Sequence, residues 1–210
     1  MRPKVTIGGV EFDLKLTLII VLGTILPMLD WYGHTIFATK AYDRIVLYFI
    51  IPVILIWILF AEPLSNYGFK WGKWPEGILW VLGVCLVMAV VLYFVARTPG
   101  MTAYYKNRAP ESVPYLIFIT GVDLWGWEFI WRGFMLFGLA KVLGPGPAIF
   151  LQAVPFAFMH LNKPELETLT TIFGGAGFAF IAWRTESFFY PFIIHWFIAS
   201  FTQLIASGRI

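Results

Sequence analysis

Two residues of opposite charge lie four positions apart in an apolar stretch of the sequence, GWEFIWRGF at residues 126–134. Positions i and i+4 share one face of a helix, so Glu128 and Arg132 are placed to form an ion pair. Asp123 lies in the same apolar segment, one turn before position 127. A charged residue in the middle of a membrane-spanning helix is unfavourable by roughly 2.5–3.5 kcal/mol, and such residues usually serve a function. Three of them in one segment predict a polar site, although an ion pair that only locks two helices together is the simpler alternative.

Two of the three histidines also lie in apolar segments, each shortly after a proline. His160 ends the run PFAFMH, and His195 lies within PFIIHWFIAS. Proline frees backbone hydrogen-bonding groups and can bend a helix towards a polar cavity. Because these imidazoles and the charged pair cannot all be satisfied facing lipid, we expect them to converge on one pocket. The third histidine, His34, lies in the interfacial stretch DWYGHTIF and is predicted to be structural.

These residue types favour hydrolysis by an activated water. A carboxylate or a neutral imidazole can act as a general base, and an imidazole can also donate a hydrogen bond to an oxyanion. Two histidines and a carboxylate would also suit zinc, but no H-E-x-x-H motif is present, so a divalent metal such as zinc and no metal both stay open. Nucleophilic alternatives are weaker, because Cys85 has no polar neighbour in sequence and Ser200 and Thr202 belong to no G-x-S-x-G motif.

The elements that must position these residues are membrane-spanning helices. Of the 210 residues, 60% are hydrophobic and 13% are charged, whereas soluble domains are about half apolar and about a quarter charged. The mean hydropathy is +0.79, and many of the 10 tryptophans lie at the ends of apolar runs, where membrane interfaces favour them. The chain is therefore predicted to be an integral multi-pass membrane protein in contact with membrane lipid. No basic run indicates a nucleic-acid partner.

The hydrophobic pattern predicts an all-α, polytopic bundle of about seven transmembrane helices that forms a single membrane domain over residues 1–210. Each span requires ~20 predominantly apolar residues. Pro27 is expected to kink the first span or to end it early. Basic residues divide evenly between the two sides of such a bundle, so the sequence gives no membrane orientation. The predicted spans lie near residues 14–36, 45–61, 77–96, 113–140, 145–161, 166–183 and 188–207.

Residues 113–207 resemble the catalytic core of the CPBP family of intramembrane endopeptidases, which includes CAAX prenyl endopeptidases and bacteriocin-processing enzymes. That family carries the motifs E-E-x-x-x-R, F-x-x-x-H and H-x-x-x-N on separate transmembrane helices. In this chain WEFIWRG aligns with the first motif, FAFMH with the second and HWFIA with the third. The resemblance implies hydrolysis of a peptide bond in a membrane-bound substrate, either a peptide or a lipidated protein.

Two positions depart from the family's motifs. Trp127 stands where the family has its first glutamate, and Ala199 stands where it has the final asparagine. In the family, that glutamate is implied to activate water together with the middle histidine, and the last histidine and the asparagine are implied to stabilise the oxyanion. Loss of one oxyanion donor typically lowers the rate about 10²–10³-fold. Loss of the base lowers it by a further factor of roughly 10²–10⁴.

Other residues could substitute for the two missing groups. Glu128 itself could turn into the pocket as the base, or Asp123 could act from one turn before position 127, on nearly the same helix face. Gln203 lies two turns after His195 on the same face and could replace the asparagine, as could Ser200. Asp123 near the membrane interface and Gln203 bonded to a neighbouring helix are the structural alternatives.

Three functional hypotheses remain. The first is an intramembrane endopeptidase in which His160, with Glu128 or Asp123, activates the water. In that scheme His195 stabilises the oxyanion, and Arg132 keeps Glu128 ionised. The second is a catalytically inactive relative that acts as a membrane adaptor or binding protein, with the Trp127 indole filling the cavity. The third is a small transporter or proton relay that uses the same acidic groups and histidines, although the sequence shows no internal repeat of the kind many transporters have.

Overall fold

The structure is a computed structural model that describes residues 4–33 and 36–210, so the interfacial His34 lies outside the described residues. A β-hairpin, β1 (Lys4–Ile7) and β2 (Val10–Asp13), comes first, and a bundle of helices follows. This architecture confirms the predicted all-α, polytopic membrane bundle. The helices are α1 (Leu14–Trp31), α2 (Lys40–Leu59), α3 (Trp74–Val95), α4 (Pro99–Tyr105), α5 (Val113–Leu143), α6 (Pro145–Phe158), α7 (Glu165–Thr185) and α8 (Phe189–Ala206).

Among the described residues, six helices are long and apolar enough to cross a membrane, namely α1, α2, α3, α5, α7 and α8. The predicted span at 145–161 corresponds to α6, an apolar helix of 14 residues, which is shorter than the ~20 residues that a span usually needs. The predicted number of seven spans is therefore not confirmed. The first span also differs from the prediction, because α1 continues through Pro27 and ends at Trp31 rather than near residue 36.

The N-terminal hairpin was not expected from the sequence. Its strands pair antiparallel with Ile7 opposite Val10. The two connecting residues, Gly8 and Gly9, have φ angles of 57° and 80°. Positive φ at both positions is what a two-residue type I′ turn requires, and glycine adopts it without steric cost. The Asp13 side chain then accepts a hydrogen bond from the Leu16 N–H at 3.0 Å, which caps the start of α1 directly after β2.

Helix α5 is the centre of the bundle. Half of its most apolar window is buried, against 6% for α3, which lies at the periphery. The segment Phe129–Met135 within α5 follows the hydrogen-bonding pattern of a π-helix, a feature that often marks functional sites. At Gly126 the backbone of α2 comes so close that an added Cβ would lie 2.5 Å from the Arg44 carbonyl oxygen. This approach brings the first turns of α2 against the middle of α5.

The end of the bundle where α1 begins and α5 ends is held together by one carboxylate. Glu62, in the connection after α2, binds Lys15 of α1 and Lys141 of α5, the latter at 2.6 Å. The ammonium groups of both lysines also lie over the ring of Tyr67, at 5.6 and 4.1 Å from its centroid. We call Glu62, Lys15 and Lys141 the end cluster.

Candidate active site

The charged pair of α5 is buried and binds a histidine of α8. Neither the Glu128 nor the Arg132 side chain has any exposed surface, and Arg132 Nη1 lies 3.2 Å from Glu128 Oε1. The same carboxylate oxygen accepts a hydrogen bond from His195 Nδ1 at 2.6 Å. On its other side the guanidinium lies 4.0 Å above the centre of the Phe156 ring. The carboxylate is therefore held by two basic groups, and its orientation towards His195 is fixed.

The second histidine is positioned by the end of α6. His160 is 8% exposed and follows the last turn of that helix. Its Nδ1 lies 2.8 Å from the Phe156 carbonyl oxygen. The ring packs against Phe156 and Trp127, with centroid distances of 4.8 and 5.8 Å. A hydrogen bond of 2.6 Å from the Thr168 hydroxyl to the His160 carbonyl oxygen fixes the turn itself.

These contacts determine which nitrogen of each ring is available. A carbonyl oxygen and an ionised carboxylate only accept hydrogen bonds, so we assign the proton of each neutral imidazole to Nδ1. The other ring nitrogen, Nε2, then carries a lone pair. His160 and His195 both line one cavity of about 880 Å³. The wall of this cavity therefore contains two imidazoles that can act as bases. The sequence predicted that the two histidines would converge on one pocket.

The cavity lies towards the end of the bundle where α2, α5 and α7 begin and where α3, α6 and α8 end. Apolar side chains of α3 and α7, such as Leu92 and Phe178, form part of its wall, and polar groups lie among them. The polar lining includes Arg44, Thr120, Asp123, Glu167 and Gln203. A chamber with this mixture accommodates both an apolar chain and a hydrogen-bonding backbone.

Asp123 reaches the cavity but does not contact either histidine in a hydrogen bond. Its carboxylate binds Arg44 Nη1 at 2.7 Å. Arg44 also donates to Asp30 at 3.1 and 3.2 Å, and its guanidinium lies 4.4 Å above the centre of the Trp127 indole. Asp123, the predicted substitute base, is thus bound to Arg44, which also binds Asp30. Arg44 in turn lies beside Trp127, the residue at the motif position of the family's glutamate.

Trp127, which stands at the motif position of the family's first glutamate, is buried among aromatic rings. Its side chain is 3% exposed, and its ring contacts Tyr48, Trp131, Phe156 and His160. The Arg44 guanidinium stacks on one face of the indole. Arg44 is a site residue that the sequence analysis did not find. It lies far from the family motifs in sequence, and the apolar run after it shows no periodicity that would indicate which face turns inward.

The two residues predicted to replace the asparagine differ in placement. Gln203 lines the cavity, and its Nε2 donates to Thr120 Oγ1 and to the Ala199 carbonyl oxygen, both at 3.2 Å. The Ser200 hydroxyl is buried and has no hydrogen-bond partner among the described residues, and Ser200 is not part of the cavity wall. Gln203 is therefore the better placed of the two to meet a substrate.

The donor set does not fit a zinc site built on three protein ligands. In the described part of the chain, no group of three His, Cys, Asp or Glu side chains is arranged to hold a metal ion. His160 and His195 both line the cavity, but the nearby carboxylates Glu128 and Asp123 are each bound to an arginine. A zinc site normally has at least three protein ligands. We therefore derive no chemistry from a metal.

Comparison with known proteins identifies the segment that forms this site. No curated protein and no solved structure matches the chain significantly. A family model described as type II CAAX prenyl endopeptidase Rce1-like matches residues 109–201. This range contains both histidines, the charged pair and Asp123, and it covers most of the predicted core at 113–207. The match confirms the predicted resemblance: residues 109–201, which hold the site, are similar to the Rce1-like type II CAAX prenyl endopeptidases.

Proposed function

We propose that the protein is an intramembrane endopeptidase that hydrolyses a peptide bond of a membrane-bound or lipidated substrate with an activated water. The observation that carries this proposal is the 2.6 Å bond between His195 and the buried Glu128 at the wall of the 880 Å³ cavity. An imidazole whose Nδ1–H is held by a carboxylate has its Nε2 free to accept a proton. This is the arrangement by which hydrolases generally activate a nucleophile.

In the proposed reaction, His195 Nε2 takes a proton from a water molecule in the cavity as the water oxygen attacks the peptide carbonyl carbon. Glu128 stabilises the imidazolium that forms, and Arg132 holds the carboxylate in position. The same proton then passes to the nitrogen of the leaving amine as the carbon–nitrogen bond breaks. This assignment gives the base role to His195, because Glu128 is bonded to His195 and not to His160.

His160 and Gln203 are proposed to complete the site. Burial lowers the pKa of His160 to about 3, so its imidazole is neutral at physiological pH. Because its Nδ1–H is bound to the Phe156 carbonyl, its Nε2 can accept a hydrogen bond from the attacking water and help to orient it. The Gln203 amide donates its two N–H groups to Thr120 Oγ1 and to the Ala199 carbonyl oxygen, so it would have to release one of these bonds to serve the missing asparagine's role from the cavity wall.

A second candidate function is supported by a specific contact. The Trp127 indole, covered by Arg44, occupies the position of the family's first glutamate, and an inactive relative that binds peptide or lipid as a membrane adaptor would have this appearance. Restoring the glutamate alone would place a carboxylate against the Arg44 guanidinium, where an ion pair would prevent it from acting as a base. A test of this candidate must therefore change Arg44 as well.

One experiment separates the two candidates. The protein and its variants are reconstituted in liposomes with a quenched-fluorescence prenylated peptide that ends in a CAAX sequence. We expect wild-type cleavage, with a loss of about 10²-fold or more in His195→Ala and His160→Ala. Equal turnover in all three proteins would remove the peptidase proposal. Wild type without cleavage, together with cleavage by the variant carrying Trp127→Glu, Arg44→Gln and Ala199→Asn, would establish the adaptor.

A further inference from the structure

The N-terminal hairpin has one apolar face and one polar face. Its register places Val5 opposite Phe12 and Ile7 opposite Val10. Alternate residues of a strand point to the same side of a sheet, so these four side chains share one face. Lys4, Thr6, Glu11 and Asp13 form the other face, where Lys4 Nζ binds Glu11 Oε1 at 2.6 Å.

The apolar face is exposed in the part of the chain that the structure describes. The exposed fractions are 38% for Val5, 67% for Ile7, 56% for Val10 and 39% for Phe12. An isolated two-stranded hairpin is only marginally stable in water and usually requires a surface to pack against. The fold supplies the turn and the salt bridge, but it leaves these four side chains without a covering surface.

The connection to α1 indicates what covers this face. Strand β2 ends at Asp13 and α1 begins at Leu14, so no linker separates the hairpin from a helix that is long and apolar enough to cross a membrane. Residues in the first two turns of that helix, Ile20 and Val21, are already exposed to the surroundings of the bundle. The hairpin must therefore lie within a few residues of the bilayer surface.

We infer that the hairpin is an interfacial anchor whose apolar face rests on the lipid bilayer and whose polar face meets water. The unpaired edges of a two-stranded sheet can bond to water at the interface, whereas they would be unsatisfied in the hydrocarbon core. Apolar side chains at this depth gain stability by leaving water, as they do in interfacial amphipathic helices. This inference is independent of the proposed peptidase activity, because the hairpin lies at the end of the bundle away from the cavity.

The inference is tested by spin labels on adjacent residues that face opposite ways. Cys85 is the only cysteine, so Ile7→Cys and Thr6→Cys are made separately in a Cys85→Ala background. The labelled proteins are reconstituted in phosphatidylcholine–phosphatidylglycerol vesicles, and collision rates with oxygen and with a water-soluble nickel chelate are measured. We expect the label at position 7 to collide mainly with oxygen and the label at position 6 mainly with nickel.

A second pair of labelled positions controls for a local effect of either spin label. Val10→Cys and Glu11→Cys lie opposite the first two positions on the other strand, and the same reversal of the oxygen-to-nickel ratio is expected there. Equal nickel access at positions 6 and 7 would overturn the inference. Protection of position 7 from both reagents would also overturn it, because it would show that protein, not lipid, covers the face.

Discussion

Two carboxylates in this bundle are each held by two basic side chains, but the two groups differ in what they can do. Glu128 binds Arg132 and His195 in the middle of the bundle with no exposed surface, whereas Glu62 binds Lys15 and Lys141 at the end and is 27% exposed. Lysine carries its charge throughout the neutral range, so the end cluster only ties helices together. Histidine exchanges its proton near neutrality and has a second nitrogen for substrate. The difference between the structural end cluster and the proposed catalytic group therefore lies in one partner of the carboxylate, a histidine in place of a lysine.

The largest expected effect concerns catalysis. Glu128→Gln should lower the rate of peptide cleavage by about 10²–10⁴-fold, because an amide cannot stabilise the His195 imidazolium. Glu62→Gln is the matched control, because it makes the same substitution at another carboxylate that two basic side chains hold, and it should leave the rate unchanged. Both rates are measured with the reconstituted prenylated peptide. Similar losses in the two variants would show that the comparison between the carboxylates is wrong.

The next effect concerns stability. Arg132→Met leaves the buried Glu128 carboxylate without its permanent cation, and we expect the free energy of unfolding to fall by about 3–5 kcal/mol. Lys141→Met leaves Glu62 with Lys15 in a partly exposed position, so its loss should be about 1 kcal/mol or less. Both values come from denaturant unfolding in detergent micelles. A larger loss for Lys141→Met than for Arg132→Met would contradict the assigned burial.

The smallest effect is a pH dependence of the end cluster. Burial raises the pKa of the Glu62 carboxyl, but the hydrogen bonds and charges of Lys141 and Lys15 outweigh burial and lower the pKa from 4.5 to about 2. A lowered pKa in the folded state stabilises the protein above pH 4.5, and this contribution is lost as the pH falls towards 2.

Glu62→Gln should therefore melt at a lower temperature than the wild-type protein at pH 7. The gap between the two melting temperatures should close as the pH is lowered from about 4.5 towards 2, and its size should correspond to at most about 1 kcal/mol. The measurement is thermal unfolding of both proteins in detergent across this range. A gap that stays constant down to pH 3 would show that the charge of Glu62 is not its source.

Much of the site could be predicted because its motifs are local. The spacing of Glu128 and Arg132 already places them on one helix face, and each histidine follows a proline in an apolar run. The partner of Glu128 could not be predicted, since the rotation of α8 about its axis decides whether His195 or His160 meets the carboxylate. A helix that is apolar in most directions gives little information on this rotation, because lipid and core accept the same side chains.

Arg44 and the hairpin were missed for different reasons. Arg44 reaches the site through the packing of α2 on α5, a contact between residues far apart in sequence. The hairpin had a readable local signal, the alternating run VTIGGVEF around a Gly-Gly pair. The hydropathy of the chain as a whole nevertheless favours helices, which is why the sequence did not predict a hairpin. Hydropathy also led to the prediction of seven spans, because α6 is apolar although it is shorter than the six spanning helices.

The close approach of α2 at Gly126 has a consequence for how this site can vary. With a carbonyl oxygen 2.5 Å from where a methyl group would begin, no other amino acid fits there without pushing the arginine-bearing helix outward. The distance between α2 and α5 beside the chamber thus depends on a residue that has no side chain of its own. Substitutions can therefore change the residues that line the chamber only as long as position 126 remains glycine.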